Sequence, residues 1–283
     1  MEVCSTIDGM RGARRMNSDG NGKPFGLVPT MGALHEGHLS LVRAAKAQCT
    51  LVAVSLFVNP LQFGPGEDLA KYPRDLDRDR ELLEKEGVDF LFAPGLKEMY
   101  PAGAVTYVTV EELGGKLCGR SRPEHFRGVT TVVSKLFNIV EPNLAFFGQK
   151  DAAQAVIVRR MVRDLNIPVQ IVTCPTLREP DGLAMSSRNA YLDPQQRKSA
   201  PVLYRSLIEV QKRFDQGEHK AGRLIEAGKS VFAEVPAVLL DYFEIVDPET
   251  LDPVEDVSRA ALVAVAAFVG KARLIDNVVL RPA

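Results

Sequence analysis

Short apolar runs that alternate with helical periods dominate the first two thirds of this 283-residue chain. The runs have apolar residues at consecutive positions, as in strands that helices cover on both faces of a parallel sheet. Predicted strands lie at 26–29, 51–58, 89–92, 144–147 and 169–173, and predicted helices at 39–48, 75–86, 130–140 and 151–165. This alternation is typical of βαβ units, so we expect an α/β domain built on a parallel sheet.

The pattern changes after residue 189. Helical patterns at 194–214 and 221–234 come first, and strand-like runs at 239–246, 261–268 and 273–280 follow them. Helices followed by strands indicate a separate α+β domain rather than further βαβ units. We therefore predict a catalytic domain at 1–176 and a smaller C-terminal α+β domain at 177–283.

Composition excludes several classes of protein. Lys and Arg total 35 against 36 Asp and Glu, which gives no basic surface of the kind that nucleic acid needs. The longest fully apolar run, 260–269, is too short to span a bilayer, so no membrane partner is expected. The four cysteines, Cys4, Cys49, Cys118 and Cys174, show no C-x-x-C pairing and favour a reducing, cytoplasmic location. The polar segment 11–23 is expected to be a mobile loop.

Two short motifs far apart in the chain suit a polyphosphate. The first, PTMGALHEGH at 29–38, follows an apolar stretch and opens a helix, so His35 and His38 lie at a strand-to-helix junction. Backbone N–H groups at a helix start attract anions, and imidazoles beside them donate hydrogen bonds near neutral pH. The second, MSSRN at 185–189, offers two hydroxyls and a guanidinium. Taken alone, the histidines also suit an N-cap, a core pair or a metal site, and MSSRN also suits a helix cap.

Further polar residues follow other predicted strands. Asn59 and Gln62 come after the strand at 51–58, and Gly148 and Lys150 come after the strand at 144–147. Ligands of open α/β sheets lie at the carboxyl ends of the strands, so we expect these residues at one site. By themselves, Lys150, Gln62 and Gln154 are more simply solvated polar residues.

These segments together resemble the pantothenate synthetase (pantoate–β-alanine ligase) family, within the HIGH-motif nucleotidyltransferase superfamily. The resemblance covers nearly the whole chain. It includes the H-x-G-H motif at 35–38, the loop VNPLQFGPGEDLAKYPR, the block HFRGVTTVVSKLFNIVEPNLAFFGQKDAAQ, and MSSRN as the counterpart of a KMSKS loop. Four such motifs in order make the resemblance highly specific, and it implies a Rossmann-like fold for the first domain.

The resemblance implies a two-step ligation, a reaction of coenzyme A biosynthesis. The carboxylate of (R)-pantoate attacks the α-phosphorus of ATP to give pantoyl adenylate and pyrophosphate, and β-alanine then displaces AMP to form pantothenate. Mg²⁺ is expected with ATP as the cofactor, because the sequence shows no carboxylate cage. A homodimer is also implied. We expect the smaller domain to act as a lid that closes over ATP by a hinge near 176–179.

The resemblance also assigns roles to individual residues. His38 takes the proton-donor position, and His35, Lys150 and Arg188 are the other catalytic candidates. Gln62 and Gln154 are expected to bind pantoate, with Gln62 also next to β-alanine. Asn59 and Arg122 are weaker candidates near pantoate or β-alanine, and Asp79 is a weak candidate for a magnesium-linked role. The ATP-binding set is Met31, Gly32, Ala33, Leu34, His35, Glu36, Gly37, His38, Gly148, Gln149, Lys150, Asp151, Leu177, Met185, Ser186, Ser187 and Arg188.

Departures from the family pattern are mild. Gln149 stands where many members have Glu, and Ala153 stands where a glutamine is frequent. Three alternatives remain at this point: a nucleotidylyltransferase of the same superfamily, a fragment of a class I aminoacyl-tRNA synthetase, and a non-catalytic ATP-binding module. His125 and His219 are expected to be structural, and the charged run 74–85 is expected to be a solvated helix face.

Overall fold

The computed structural model describes residues 1–17 and 24–282, which form two compact units. The first unit contains Met1–Gly114, Arg122–Gly148 and Ile157–Cys174, and the second contains Gly115–Ser121, Gln149–Val156 and Pro175–Ala283. The predicted division of the chain at residues 176 and 177 stays a prediction.

A six-stranded parallel sheet is the centre of the first unit. Its strands are β1 (Glu2–Cys4), β2 (Phe25–Thr30), β3 (Leu51–Leu56), β4 (Phe90–Phe92), β5 (Leu144–Gly148) and β6 (Gln170–Cys174). They lie in the order β1-β4-β3-β2-β5-β6. The α/β class predicted from the apolar runs is therefore confirmed.

The centre of this sheet is where the chain reverses its direction of strand addition. β2 pairs with β3 on one side, with Phe25 opposite Leu51, and with β5 on the other, with Gly26 opposite Leu144. At such a switch point, the loops that leave the carboxyl ends of neighbouring strands diverge and leave a crevice. The segments after β2, β3 and β5 are thus the natural place for a ligand.

Ten α-helices lie in the described residues. They are α1 (Ile7–Met16), α2 (Glu36–Gln48), α3 (Leu76–Lys85), α4 (Leu96–Met99), α5 (Cys118–Ser121), α6 (His125–Val140), α7 (Ala152–Asp164), α8 (Pro194–Ser199), α9 (Val202–Asp215) and α10 (Ala221–Ala233). Within the described ranges, no helix is both long enough and apolar enough to cross a membrane.

The core of the first unit is built from the apolar runs that predicted its strands. Val28, Val54 and Leu91 on adjacent strands are fully buried and pack with Val42 and Ala45 of α2. Burying an aliphatic side chain of this size contributes about 1.5–3 kcal/mol, so continuous apolar strands strongly favour a sheet covered on both faces.

The second unit is an antiparallel sheet with helices against it. Its strands are β7 (Val238–Val246), β8 (Ala261–Val269) and β9 (Ala272–Leu280), with β8 in the middle. Leu203 and Leu207 of α9 and Leu224 of α10 share a core with Val263 and Val265 of β8. The predicted order of helices followed by strands is confirmed.

The structure corrects two predicted helix boundaries. The helix predicted at 130–140 begins earlier, at His125, because Gly128 is helical rather than part of a loop. The single helix predicted at 194–214 is two helices, α8 and α9, that meet at Ala200 and Pro201. Pro201 has no N–H to donate to the preceding turn, so it interrupts the helical hydrogen bonds.

The N-terminal prediction is also partly wrong. Residues 11–16, expected in a mobile loop, belong to α1. Thr6 is the N-cap of this helix and accepts a hydrogen bond from the Gly9 N–H at 3.1 Å. Met10 and Ala13 are buried on one side of this helix, three residues apart. Because α1 also contains three arginines, this short apolar face was not recognised in the sequence. Residues 18–23, the rest of the expected loop, lie outside the described residues.

Candidate functional site

The junction between β2 and α2 holds both histidines of the first motif. His35 is the N-cap of α2, and its Nδ1 accepts a hydrogen bond from the Gly37 N–H at 3.1 Å. His38 lies three residues on, and its Nδ1 accepts from the His35 N–H at 3.4 Å. The two ring centroids are 4.0 Å apart. This is a capping box made of imidazoles, so the capping alternative correctly describes what the rings do within the helix.

The cap determines which ring nitrogen carries the proton. Each Nδ1 accepts a backbone hydrogen bond, so a neutral His35 or His38 has its proton on Nε2. An Nε2–H group is a donor, which is what a phosphate oxygen requires. The capping role and a phosphate-binding role therefore use different nitrogens of the same ring.

A buried carboxylate supports the backbone just before this cap. Asp79 of α3 accepts hydrogen bonds from the N–H groups of Ala33 and Leu34, at 2.7 and 2.8 Å. Burial raises the pKa of Asp79 above its ordinary value, although these two N–H groups and Arg78 act in the opposite direction. Asp79 is an exception on α3, because most of the charged run 74–85 is exposed as predicted.

The loop after β3 brings Asn59 and Gln62 together. Asn59 is 1% exposed, and its Nδ2 donates to Gln62 Oε1 at 3.1 Å and to the Gly128 carbonyl at 3.0 Å. With its oxygen facing Asn59, Gln62 points Nε2 at the sulfur of Met31, 2.9 Å away. Met31 belongs to the predicted ATP-binding set, and Gln62 is predicted to bind pantoate. These two residues are therefore direct neighbours.

Arg122 and His125 hold the main chain of the same loop. Arg122 Nη2 and His125 Nδ1 both reach the Gln62 carbonyl, at 3.1 and 2.7 Å. Because a carbonyl only accepts, His125 Nδ1 donates and its Nε2 accepts from Arg122 Nη1 at 3.1 Å. The structural role expected for His125 is consistent with this geometry. The predicted place of Arg122 near pantoate or β-alanine stays a prediction.

Glu67 completes this group. It receives two hydrogen bonds from Arg122, from Nε at 2.8 Å and from Nη2 at 2.5 Å. Burial alone raises the pKa of Glu67, but Arg122, His125 and the Gly64 N–H together hold it below its ordinary value. The carboxylate is therefore charged near neutral pH and balances the guanidinium that supports the Gln62 loop.

In the second unit, β9 anchors the turn that contains Lys150. Asn277 is 4% exposed and donates from Nδ2 to the carbonyls of Gln149 and Lys150, at 2.9 and 3.0 Å. The Gln149 amide donates in return to Asn277 Oδ1 at 2.8 Å. The amide at position 149, where many relatives were expected to have Glu, is thus matched by a neighbouring acceptor. The ammonium of Lys150 lies 3.8 Å from Asp151.

A short hairpin leads into the second motif. The Met185 N–H donates to the Leu177 carbonyl at 3.0 Å, and the Glu179 N–H donates to the Leu183 carbonyl at 2.8 Å. Asn189 ties the motif to this hairpin, because its Nδ2 donates to Glu179 Oε1 at 2.9 Å. The hairpin is in turn held by Arg178, which forms two hydrogen bonds with buried Asp276 of β9.

The serines and the arginine of the motif begin a short 3-10 helix, Ser187–Tyr191. Ser186 is its N-cap and accepts a hydrogen bond from the Arg188 N–H at 3.3 Å. The helix-cap alternative is therefore also correct for this segment. Gln154 lies in the first turn of α7 and is half-buried.

The described residues contain no group of three or more His, Cys, Asp or Glu side chains able to hold a metal ion. Both oxygens of Asp79, the weak magnesium candidate, accept backbone hydrogen bonds.

A parallel sheet whose central strands are followed by polar segments that begin helices is typical of the nucleotide-binding α/β class. Comparison with known proteins narrows this class. The sequence model of the pantoate-beta-alanine ligase family matches residues 2–279. Pantothenate synthetase of Koribacter versatilis is 58% identical over 284 residues, covering 100% of this chain and 97% of the relative. That of Thermotoga neapolitana is 56% identical, covering 99% of this chain and all of the relative.

Solved structures agree with these relatives. Pantoate-beta-alanine (pantothenate synthetase) from Thermus thermophilus superposes with a TM-score of 0.95 at 50% identity, covering 100% of both chains. Pantoate-beta-alanine ligase from Francisella tularensis, solved with beta-gamma ATP and beta-alanine, has a TM-score of 0.79 at 33% identity and covers 98% of this chain and 97% of its own. The chain belongs to the pantoate–β-alanine ligase family, whose members are ATP-dependent ligases that form pantothenate.

The family assignment decides against the three alternatives drawn from the sequence. The roles of the individual residues are proposals. The residues that the sequence did not single out are those that act on the main chain or orient a neighbouring side chain: Tyr100, Glu67 and Asn277. Of these three, only Asn277 has a signal in the sequence, because it is a polar residue in a predicted strand that is rich in apolar residues.

Proposed function

We propose that this chain joins (R)-pantoate and β-alanine through a pantoyl-adenylate intermediate, with MgATP as the activating substrate. In the first step, a carboxylate oxygen of pantoate attacks the α-phosphorus, the bond from that phosphorus to the bridging oxygen breaks, and pyrophosphate leaves. In the second step, the amine of β-alanine attacks the acyl carbon after losing a proton, and AMP leaves. The adenylate supplies a good leaving group that a free carboxylate lacks.

The observation that most supports this proposal is the imidazole cap of α2. It orders two rings at a helix start with Nε2 as the proton-carrying nitrogen of each neutral ring. Donors fixed before the reaction stabilise charge that develops on phosphate oxygens without a cost of reorganisation. We assign His38 as the proton donor to the phosphates and His35 as its partner.

The remaining charge of the triphosphate is assigned to the second unit. The proposed phosphate ligands are Lys150, Ser186, Ser187 and Arg188. The proposed nucleotide contacts are Gly148 to Asp151 and Leu177. Gly148 has open space around it, since an added Cβ would meet no atom within 4 Å. The hairpin and the Asn277 anchor support the proposal because their hydrogen bonds hold these segments in place.

Pantoate is assigned to Gln62 and Gln154, and β-alanine to the neighbourhood of Gln62. Amide side chains donate and accept hydrogen bonds together, which suits a substrate with hydroxyls and a carboxylate. Asn59 donates to Gln62 Oε1, which leaves Nε2, the atom that faces the Met31 sulfur, as the donor for an acceptor such as a carboxylate oxygen. A homodimer, closure of the smaller domain as a lid, and a cytoplasmic location complete the proposal.

The test is to measure pyrophosphate and AMP release with ATP, Mg²⁺ and D-pantoate, with and without β-alanine. We expect pyrophosphate release to require pantoate, and sustained AMP release to require β-alanine. His38→Ala should lose both, while His219→Ala, a matched histidine that packs against Phe214, should keep them. ATP binding without release of either product would contradict the proposed two-step reaction.

A further inference from the structure

The backbone between β2 and α2 adopts an unfavourable conformation. Gly32 has φ of 85° and Ala33 has φ of 51°, two successive residues in the left-handed region. Glycine tolerates this region, but alanine is disfavoured there because its Cβ crowds the backbone. The turn persists only if other contacts stabilise it. It lies within the segment 31–38 that we propose as the first nucleotide-contacting strip.

Asp79 supplies the contacts that stabilise this turn. Its Oδ2 accepts from the Ala33 N–H at 2.7 Å, and its Oδ1 accepts from the Leu34 N–H at 2.8 Å. The side chain is 2% exposed. A Cβ added to Gly32 would lie 3.0 Å from Asp79 Oδ2, so the carboxylate packs directly against the glycine. One buried carboxylate therefore pairs the two consecutive N–H groups that the turn presents.

Arg78 adds a third link between the same two segments. Its Nη1 donates to the Leu34 carbonyl at 3.2 Å and lies 3.6 Å from Asp79 Oδ1. Neighbouring residues of α3 thus bind both the N–H and the C=O of Leu34, about 45 residues earlier in the chain. The next residue is the N-cap His35, so the position of the imidazole cap depends on the same turn.

We propose that Asp79 is a positioning residue for ATP, which holds the Gly32–Ala33–Leu34 turn and thereby the histidine cap in the nucleotide-binding geometry. This proposal rests on the proposed function and refines it. It replaces the magnesium-linked role suggested by the sequence, because the carboxylate is buried and both of its oxygens are engaged by the main chain.

The chemistry of the side chain suggests the decisive variant. Asp79→Asn keeps the shape but replaces one acceptor oxygen with an NH₂ group, which would face a backbone N–H that also donates. One N–H is then left buried without an acceptor, and the turn loses a charge-assisted hydrogen bond. Because the strain is at Ala33, Ala33→Gly removes the conformational cost and should restore part of what Asp79→Asn loses.

The experiment compares wild type, Asp79→Asn, Ala33→Gly and the double variant in steady-state pyrophosphate release. We expect Asp79→Asn to raise KM for ATP about tenfold with KM for pantoate little changed. In the Ala33→Gly background, Asp79→Asn should raise KM for ATP about threefold less than it does in the wild-type background. Asp77→Asn, an exposed aspartate on the same helix, should stay within about twofold of wild type.

A magnesium titration at fixed ATP separates the two roles. We expect excess Mg²⁺ to leave the defect of Asp79→Asn unchanged. Recovery of activity by Mg²⁺, or absence of any rescue by Ala33→Gly, would overturn the positioning role. If Asp79→Asn does not fold, Asp79→Glu displaces the carboxylate while keeping its charge, and an unchanged KM for ATP in that variant would also overturn it.

Amide hydrogen exchange tests the same contacts in the wild-type protein. The Ala33 and Leu34 amides should be protected from exchange before ATP is added, and rapid exchange of both would contradict the proposal. This readout does not depend on turnover. A wild-type protein that released no pyrophosphate would therefore count against the proposed function, while the protection of these amides would still decide the role of Asp79.

Discussion

At the scale of single residues, the orientation of the Gln62 amide determines whether the proposed pantoate site offers a hydrogen-bond donor or an acceptor. Because Asn59 donates to Gln62 Oε1, the Gln62 nitrogen, which faces the Met31 sulfur, is the atom left to donate to a ligand. Asn59 is itself oriented by Tyr100, whose hydroxyl donates to Asn59 Oδ1 at 2.9 Å, and by the Gly128 carbonyl, which accepts from Nδ2. A chain of three side chains thus fixes the donor that would meet a carboxylate.

Tyr100→Phe should weaken this orientation without removing it, because the Gly128 carbonyl still holds Asn59. We expect KM for pantoate to rise about threefold, with KM for ATP unchanged. Stability should fall by about 0.5–1.5 kcal/mol from the lost hydrogen bond, since Asn59 Oδ1 still accepts from the Leu61 N–H at 3.4 Å. Tyr107→Phe is the matched control, since Tyr107 is exposed and its ring still stacks on Arg127. Equal effects of the two substitutions on the pantoate KM would show that the hydroxyl of Tyr100 does not orient the site.

Glu67 predicts a pH dependence of stability. The pKa of Glu67 in the folded protein lies below its ordinary value of 4.5, so as pH falls the unfolded chain binds this proton first. The contribution of the Glu67–Arg122 pair is therefore complete above the ordinary value and disappears as pH falls through the lower folded pKa. Glu67→Gln should cost about 1–2 kcal/mol near neutral pH, and the difference from wild type should shrink in acid.

Chemical denaturation at several pH values, from neutral down to the acid limit of folding, measures this difference. Glu84→Gln, which removes an exposed carboxylate paired with Arg80 on α3, is the matched control and should show a smaller loss at every pH. A Glu67→Gln deficit that stayed constant into acid would mean that the carboxylate has an ordinary pKa in the folded protein.

At the scale of secondary-structure elements, the sequence predicted what is periodic and missed what depends on a single contact. The buried strands β2 and β3 were predicted because runs of four or more consecutive apolar residues are uncommon outside buried strands. β1 was not found, because its three residues include exposed Glu2 and Val3. The break between α8 and α9 depends on Pro201, a breaker within an otherwise continuous helical pattern.

The boundary of α6 shows the same limit. The predicted helix began after Gly128, but Gly128 is a helical residue placed where α6 contacts the loop after β3. A Cβ added there would lie 2.2 Å from the Leu61 carbonyl oxygen and 2.6 Å from the Gln62 nitrogen. The glycine is required by a close approach of two backbones, which no local pattern reveals.

Gly128→Ala should therefore displace the loop that contains Gln62. Overpacking against backbone atoms costs about 1–3 kcal/mol or more, and we expect KM for pantoate to rise at least about tenfold. Gly12→Ala is the matched control, because Gly12 is also inside a helix, α1, but an added Cβ meets nothing within 4 Å. That variant should gain about 0.5–1 kcal/mol from helix propensity. Thermal unfolding and pantoate kinetics of both variants measure the contrast, and wild-type kinetics in Gly128→Ala would contradict it.

At the scale of the whole molecule, the motifs identified the family and the class of reaction, while the supporting contacts stayed hidden. His35, Lys150 and Arg188 were proposed as catalytic residues because the motifs that contain them resemble those of the family. Asp79 and Asn277 were not assigned these roles, because they bind main-chain groups about 45 and 127 residues away in sequence. A sequence shows which side chains are present, but only the fold shows which N–H or C=O each one meets.

The proposed mechanism makes a prediction about the protein in the absence of β-alanine. The adenylate joins the pantoate and nucleotide groups in one molecule, so it should bind more tightly than ATP or pantoate alone. With ATP, Mg²⁺ and pantoate, we expect a burst of about one pyrophosphate per chain followed by slow release. A ligand present at a hundred times its Kd stabilises the folded state by about 2.7 kcal/mol, so the melting temperature should rise by roughly 5–10 °C.

Neither ATP nor pantoate alone should give that rise, and adding β-alanine should discharge the intermediate and restore rapid pyrophosphate release. His38→Ala should lose the burst and the additional stabilisation together, because both require the adenylate, while His219→Ala should keep both. Continuous pyrophosphate release without β-alanine would mean that water reaches the acyl carbon, and the intermediate would then not be retained. Quenched-flow measurement of pyrophosphate with parallel thermal unfolding distinguishes these outcomes, since a retained adenylate stabilises the protein and a hydrolysed one does not.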